Sequence, residues 1–376
     1  MTKRTPFEQI ALLMQGGGAL GAYQAGVYQA LAEADLHPNW VAGISIGAIN
    51  SAIIAGNPPE QRVGRLREFW ETVSASPFGI PNISGLEPRG ELNLQLINQA
   101  QAMNVLMFGA NEFFVPRVPP ALLWRPGSPD KASYYDNTPL WSTLRRLVDF
   151  DRINGGKMRF SVGAVDVRSG NFTYFDTTTH TIRVEHVIAS GSLPPGFPAT
   201  NVAGQYYWDG GLISNTPLQW VLESTPRRDT LAFQIDLWNA RGALPEDMIE
   251  VEVRRKEIVY SSRNRAATDQ YKRLQRLRIA LSRLLSRLPA DLRDSDDVRQ
   301  LSEVANDKVC NIVHLIYRAK KYEGIAKDFE FSHRTMEEHW GAGYRNARKT
   351  LANPEVLQLP DREEGVCTFD IGENEG

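Results

Sequence analysis

Ser45 stands between two glycines in Gly43-Ile44-Ser45-Ile46-Gly47, and shortly upstream the chain runs Gln15-Gly16-Gly17-Gly18-Ala19-Leu20-Gly21. A serine on a sharp, glycine-framed corner can present its hydroxyl as a nucleophile. A glycine loop at a helix start exposes backbone N–H groups, which favour negative charge. A hydroxyl that attacks a carbonyl and N–H donors that hold the resulting oxyanion are what acyl transfer needs.

The elements that must position these residues are legible around them. Ile10 to Met14 is a short apolar run that reads as a buried strand entering the glycine turn. Ala19 to Ala34 has helical apolar spacing. The pattern then repeats, with Trp40 to Ile44 as a strand, Ser45 as the corner and Ile46 to Ala55 as a helix. Two successive strand–turn–helix units put both turns at the carboxyl end of a parallel sheet, where ligands bind.

Neither motif is decisive alone. A Gly-x-Ser-x-Gly arises by chance in about one in eight chains of this length at average glycine and serine usage. Gly16-x-Gly18-x-x-Gly21 also satisfies the dinucleotide fingerprint, but that site needs an acidic residue about 20 residues on, at the end of the next strand. Here that strand ends in Gly-Ile-Ser-Ile-Gly instead.

With these motifs in that order, the sequence resembles the patatin-like phospholipase family, which joins a glycine-rich oxyanion loop and a Gly-x-Ser-x-Gly elbow to a later Asp-Gly-Gly or Asp-Gly-Ala. Trp208-Asp209-Gly210-Gly211 matches the last motif, and Ala189-Ser190-Gly191 through Phe197-Pro198 is similar to the stretch preceding it. The resemblance covers residues 10–240. It implies a Ser–Asp dyad without histidine, with Ser45 as nucleophile and Asp209 as base. It also implies an oxyanion hole from the Gly16–Gly18 loop (the N–H groups of Gly17 and Gly18 foremost) helped by Ile46, with Gly21, Gly43, Gly47, Gly210 and Gly211 as motif glycines. The implied fold is α/β, a three-layer sandwich on a central, mostly parallel sheet. Leu20 departs from the many members that carry Arg or Lys there, which tilts the substrate toward neutral esters, thioesters or glycerides.

Bulk properties bound the rest. A chain of 376 residues has an ample core, and its net charge of −2 gives no argument for nucleic acid. Cys310 and Cys367 lack the spacing of a disulfide framework or zinc site. No cofactor or metal is expected. No apolar run reaches the length of a membrane span, and the polar start lacks a signal h-region, so a cytoplasmic protein is expected, with peripheral membrane contact allowed.

The chain divides into a hydrolase domain (8–240), a mainly helical C-terminal extension (246–360) and a loose acidic tail (361–376). The extension resembles one found in a subset of bacterial patatin-like proteins. Within the first part, 76–137 is rich in proline and glycine but also in Phe, Leu and Met, too apolar for a disordered linker. It reads as a lid or acyl-chain channel, or as an elaboration that completes the core. Asp236, inside a strand pattern, is a reserve acid without a glycine turn.

Residues 254–288 are basic, with 11 Lys/Arg against two acids between Arg254 and Arg287. Leu274, Leu277, Leu281, Leu284 and Leu288 form an apolar stripe. Such a helix packs by its leucine face, makes a homodimer seam, or lies on an anionic bilayer, and simple packing is the commonest of these. Of the six histidines, His314, His333 and His339 follow Asp209, but none sits in a glycine- or proline-framed loop. The function expected is ester hydrolysis on a lipid or other acyl ester. An acyltransferase or thioesterase on the same site, and a lipid- or partner-binding module, are the alternatives.

Overall fold

The computed structural model describes residues 5–75, 90–123, 127–261, 264–289, 292–293 and 295–371. In chain order its strands are β1 (Gln9–Met14), β2 (Trp40–Gly43), β3 (Val115–Pro116), β4 (Tyr135–Asp136), β5 (Arg159–Asp166), β6 (Phe172–Asp176), β7 (Thr200–Val202), β8 (Gln205–Asp209), β9 (Thr230–Asp236), β10 (Cys310–Ile316) and β11 (Val366–Asp370). Its α-helices are α1 (Ala22–Glu33), α2 (Ile46–Ala55), α3 (Pro59–Val73), α4 (Glu91–Phe108), α5 (Thr138–Leu147), α6 (Phe150–Asn154), α7 (Val184–Ser190), α8 (Leu218–Glu223), α9 (Met248–Ser261), α10 (Asn264–Ser286), α11 (Asp296–Val304) and α12 (His333–Leu351).

The main sheet runs β11-β10-β9-β1-β2-β5-β8-β7, with β6 also on β5. From β11 to β5 every pairing is parallel, and the pairings of β5 with β6 and β8, and of β8 with β7, are antiparallel. The expected α/β layering on a mostly parallel sheet is thus observed. β1 shows why. Leu12 and Met14 enter the core shared with α1, α2, α3 and α12, while Ala11 and Leu13 enter the opposite core with α8. A strand covered on both faces reads as an unbroken apolar run rather than an alternating one.

The C-terminal third is not set apart from this sheet. β10 lies beside β9 in full register, from Cys310 against Thr230 to Ile316 against Asp236. α12 packs on α1 at backbone distance, since a Cβ on Gly343 would meet the Tyr23 carbonyl at 2.0 Å. The acidic tail expected to be loose from 361 instead carries edge strand β11, parallel to β10. Past buried Val366, half-buried Cys367 and Phe369 alternate with exposed Thr368 and Asp370, the period of a strand at the rim of a sheet. The first part of the expected insertion, 76–89, and residues 372–376 lie outside the described residues.

The leucine stripe of α10 is a second correction. Among the described residues the buried positions are Thr268, Gln275, Arg278 and Ile279, whereas Leu277 and Leu284 are exposed. Packing is set by what faces the helix. The Gln275 amide donates to the Lys308 carbonyl at 2.7 Å, and Ile279 fills the space over Gly365.

Candidate active site

The glycine loop leaves β1 through Gln15, whose amide is fully used. Its Oε1 accepts from Leu237 N (2.6 Å) and Trp238 N (3.0 Å), and its Nε2 donates to Thr216 Oγ1 and the Tyr260 carbonyl, both at 3.1 Å. A fully buried amide so satisfied ties the ends of β1 and β9 to α9. The Gly16 peptide is held next. Asn215 accepts from the Gly16 N–H at Oδ1 (3.2 Å) and donates from Nδ2 to the Gly16 carbonyl (3.0 Å), which also accepts from Trp238 Nε1 (2.9 Å).

Gly18 needs to be glycine twice over. Its φ is +54°, and a Cβ would lie 2.1 Å from the Asp328 carbonyl oxygen. That oxygen accepts from the Ala19 N–H at 2.9 Å. The Asp328 carboxylate is bound by Lys256 Nζ of α9 at 2.8 and 3.0 Å. Two pieces of the C-terminal third therefore clamp the loop from outside. The N–H groups of Gly17 and Gly18 have no partner among the described residues, and both glycines line the cavity described below. Gly16, expected among the oxyanion donors, is a correction: its N–H is already taken by Asn215.

Ser45 follows β2 at φ +56°, ψ −124°, a sparsely populated conformation that non-glycine residues hold only when their surroundings impose it. Here they do. The Ser45 N–H donates to Ser190 Oγ at 3.1 Å. A Cβ on Gly47 would meet the Met14 carbonyl at 2.2 Å, and one on Gly43 the Gly47 carbonyl at 2.2 Å, so the corner closes only with glycine on both sides. Gly21 lies against Ile46 and Trp70 in the same contact region. Ile46 begins α2, so its N–H is one of the helix-start donors that lack an intrahelical acceptor.

Asp209 ends β8, paired to Ala164 of β5, and is 1% exposed. Its Oδ1 accepts from the Gly211 N–H at 2.7 Å, and the Ser45 hydroxyl lies near enough to its carboxylate to lower its proton affinity. Gly210 rests against the Gly163 carbonyl of β5 and allows this tight turn. Burial pushes the Asp209 carboxyl up to about 7, against the opposing pull of the Ser45 hydroxyl and the Gly211 N–H. Its proton affinity thus lies near neutrality, where a base is most useful.

Ser45 and Asp209 open on a cavity of about 290 Å³. Its walls are apolar: Val105 and Leu106 from α4, Phe113 and Phe114 before β3, Phe197, and Phe331 from the C-terminal third. No Lys, Arg or His is among the described residues lining it. The histidines that follow Asp209 lie elsewhere. His339, buried, faces Glu323 at 3.4 Å, His314 faces Asp236 at 3.5 Å, and His333 is at the surface beside Glu337. His314 and the Gln234 amide occupy Asp236, which does not line the cavity. Among the described residues no group of three or more His, Cys, Asp or Glu is placed to hold a metal ion, and no helix is long and apolar enough to cross a membrane.

Asn215, Trp238 and Asp328 were not singled out from sequence, and Gln15 and Ser190 stood there only as members of motifs, with no role. Asn215 lies six residues past Asp209 on the same turn, the one local signal; the others act across long sequence separations.

A strained serine corner, a glycine loop and a buried aspartate meet at the ends of interior strands of a mostly parallel α/β sheet. A sequence model described as Patatin-like phospholipase matches residues 12–221, more than half of the chain, and one described as Patatin phospholipase matches 258–363. The chain belongs to the patatin-like phospholipase family. A stretch of 61 residues is 39% identical to the patatin-like phospholipase domain-containing protein M110.7 of Caenorhabditis elegans, covering 16% of this chain and 6% of that protein. Among solved structures, VipD from Legionella pneumophila is similar over 96% of this chain and 72% of its own, at 15% identity and a TM-score of 0.41. The type III effector ExoU is similar over 93% and 53%, at 12% identity and a TM-score of 0.31. At those scores neither adds to the family assignment.

Proposed function

We propose that this chain is a serine lipid acyl hydrolase acting on uncharged acyl esters through a Ser45–Asp209 dyad. The observation that carries the reading is that Ser45, on its strained corner, and the buried Asp209 carboxylate line the same largely apolar cavity, with the Ser45 hydroxyl near enough to that carboxylate to lower its proton affinity. Ser45 Oγ attacks the ester carbonyl carbon as its proton passes to Asp209. The oxyanion is held by the N–H groups of Gly17 and Gly18, with Ile46 as a third donor. Asp209 returns the proton to the departing alkoxide, leaving Ser45 acylated. Water then attacks the acyl carbon, gives its proton to Asp209, and the acid leaves as that proton goes back to Ser45 Oγ.

The absence of a cationic side chain on the described cavity wall favours a neutral acyl ester over one anchored by its phosphate. Leu20, at the position where the family often places a cation, is fully buried. Turnover of a glyceride or p-nitrophenyl acyl ester by the wild type, absent from Ser45→Ala and Asp209→Asn chains of unchanged circular dichroism, is the expected result. Undiminished turnover in either variant overturns the reading.

A further inference from the structure

The rim of the active-site cavity is unusually apolar on its outside. α4 ends in Met103, Leu106 and Met107, exposed by 56, 43 and 61%. The loop joining β3 to β4 carries Val118, Leu122 and Leu123, exposed by 87, 84 and 74%. The hairpin is tied to the end of α4: Tyr135 of β4 donates its hydroxyl to the Leu106 carbonyl at 2.9 Å, and β3 and β4 pair antiparallel beneath the loop. A monomeric protein rarely leaves contiguous large apolar side chains in water without a use for them.

We propose that this rim is the face by which the protein docks on a neutral lipid bilayer, resting on the reading of the cavity as an acyl-ester site. Two observations select a bilayer as the occupant. The patch is continuous with the cavity, because Leu106 and Tyr135 belong to the rim and also line the wall, so an acyl chain leaving the bilayer reaches Ser45 without crossing water. The two apolar stretches themselves carry no charge, as an acyl boundary demands, and the loop's exposed Asp130 and Lys131 follow them. Residues 92–111 contain no Asp, Glu, Lys or Arg, and neither does 118–123. A helix face turned to water ordinarily carries charged side chains, whereas an interfacial one buries an apolar face roughly 5–10 Å into the headgroup and acyl boundary.

The basic helix α10 is the competing surface. It exposes Leu277 and Leu284 among arginines, but it packs on α8 and lends no residue to the described cavity wall. Docking there leaves the mouth unoriented.

The test is flotation with dioleoyl phosphatidylcholine vesicles at low and high salt, in a Ser45→Ala background so that the vesicles stay intact. The chain is expected to float at both salt concentrations. Leu122→Glu with Leu123→Glu is expected to lower the bound fraction at least tenfold. Because both side chains are exposed, its thermal melt stays put, and on the Ser45 chain its turnover of a monomeric short-chain ester is unchanged. Equal flotation of the variant, or no flotation of either chain, overturns the proposal. So does binding confined to phosphatidylglycerol vesicles and lost in Arg273→Gln with Arg276→Gln. A dimer in sedimentation equilibrium that the loop variant dissociates gives the face to a second copy instead. If flotation follows Leu122 and Leu123 while the Ser45 chain turns over no soluble ester, docking stands and the hydrolase reading falls.

Discussion

The carboxamide of Asn215 holds both edges of the Gly16 peptide, accepting its N–H at 3.2 Å and donating to its carbonyl at 3.0 Å. This clasp fixes the direction of the glycine loop. It removes one N–H from the candidate oxyanion hole and leaves the next two free. Asn215 also lies beside Ser45, because a Cβ on Gly16 would touch both. It is a positioning residue. Asn215→Asp retains the acceptor but loses the donor and brings a second carboxylate close to Asp209. Asn215→Ala is expected to lower kcat by about 10²-fold, the scale of a misplaced oxyanion donor, with KM little changed. Asn215→Asp is expected to add an upward shift in the pH midpoint, which a merely structural defect does not produce. Steady-state kinetics across pH separates the two.

The acid–base behaviour of Asp209 is set by burial. With its carboxyl at about 7, kcat/KM should rise with pH through a midpoint near 7 rather than near the ordinary aspartate value of about 4. Losing the Ser45 hydroxyl, whose influence pulls the carboxyl down, raises the titration further. Carboxyl chemical shifts of Asp209 in Ser45→Ala, followed across pH, are expected to show a midpoint above that of the wild type.

The same burial has a stability consequence. The folded-state value lies above the unfolded value of about 4, so the native state binds this proton more tightly. That contribution is fully present below pH ~4 and is lost as pH rises through ~7. Asp209→Asn, which has no charge to bury, is therefore expected to be more stable than wild type at pH 8 by up to a few kcal/mol, at about 1.4 kcal/mol per pKa unit, and nearly equal to it at pH 4. Denaturant melts at the two pH values give the difference directly. Such stability regained by losing function is common at active sites.

The C-terminal third holds the glycine loop through Asp328, and Lys256 holds Asp328. Lys256→Ala leaves a partly buried carboxylate without its cation and loosens the carbonyl on which Ala19 rests. A fall in kcat of roughly tenfold, with a melting temperature lowered by only a few degrees as for the loss of about 1 kcal/mol, is the expected outcome. Lys256→Arg should restore most of it. A change in stability with kcat intact would make the clamp structural only.

What could be read from sequence was what local chemistry imposes. Ser45 and Gly18 announce themselves because their backbone conformations and close contacts admit few residues. β1 announces itself because two covered faces demand the continuous apolar run from Ile10 to Met14. The clasp and the clamp did not, since Asn215 and Gly16 are 199 residues apart and Asp328 acts on the loop through a backbone carbonyl, which any residue possesses. The buried face of α10 was misread because helical spacing marks stripes but not which stripe meets a partner. Gln275, polar, is buried because the Lys308 carbonyl accepts its amide. β11 was hidden by the acidic residues before it, although its own alternation is regular.

The most direct measurement is covalent labelling by a fluorophosphonate probe, followed by peptide mapping, on wild type and Asp209→Asn across pH. Modification confined to Ser45, rising through a midpoint near pH 7 and lost in Asp209→Asn, is the result predicted. Modification at another serine, or equal labelling of Ser45 in folded Asp209→Asn, would contradict the dyad.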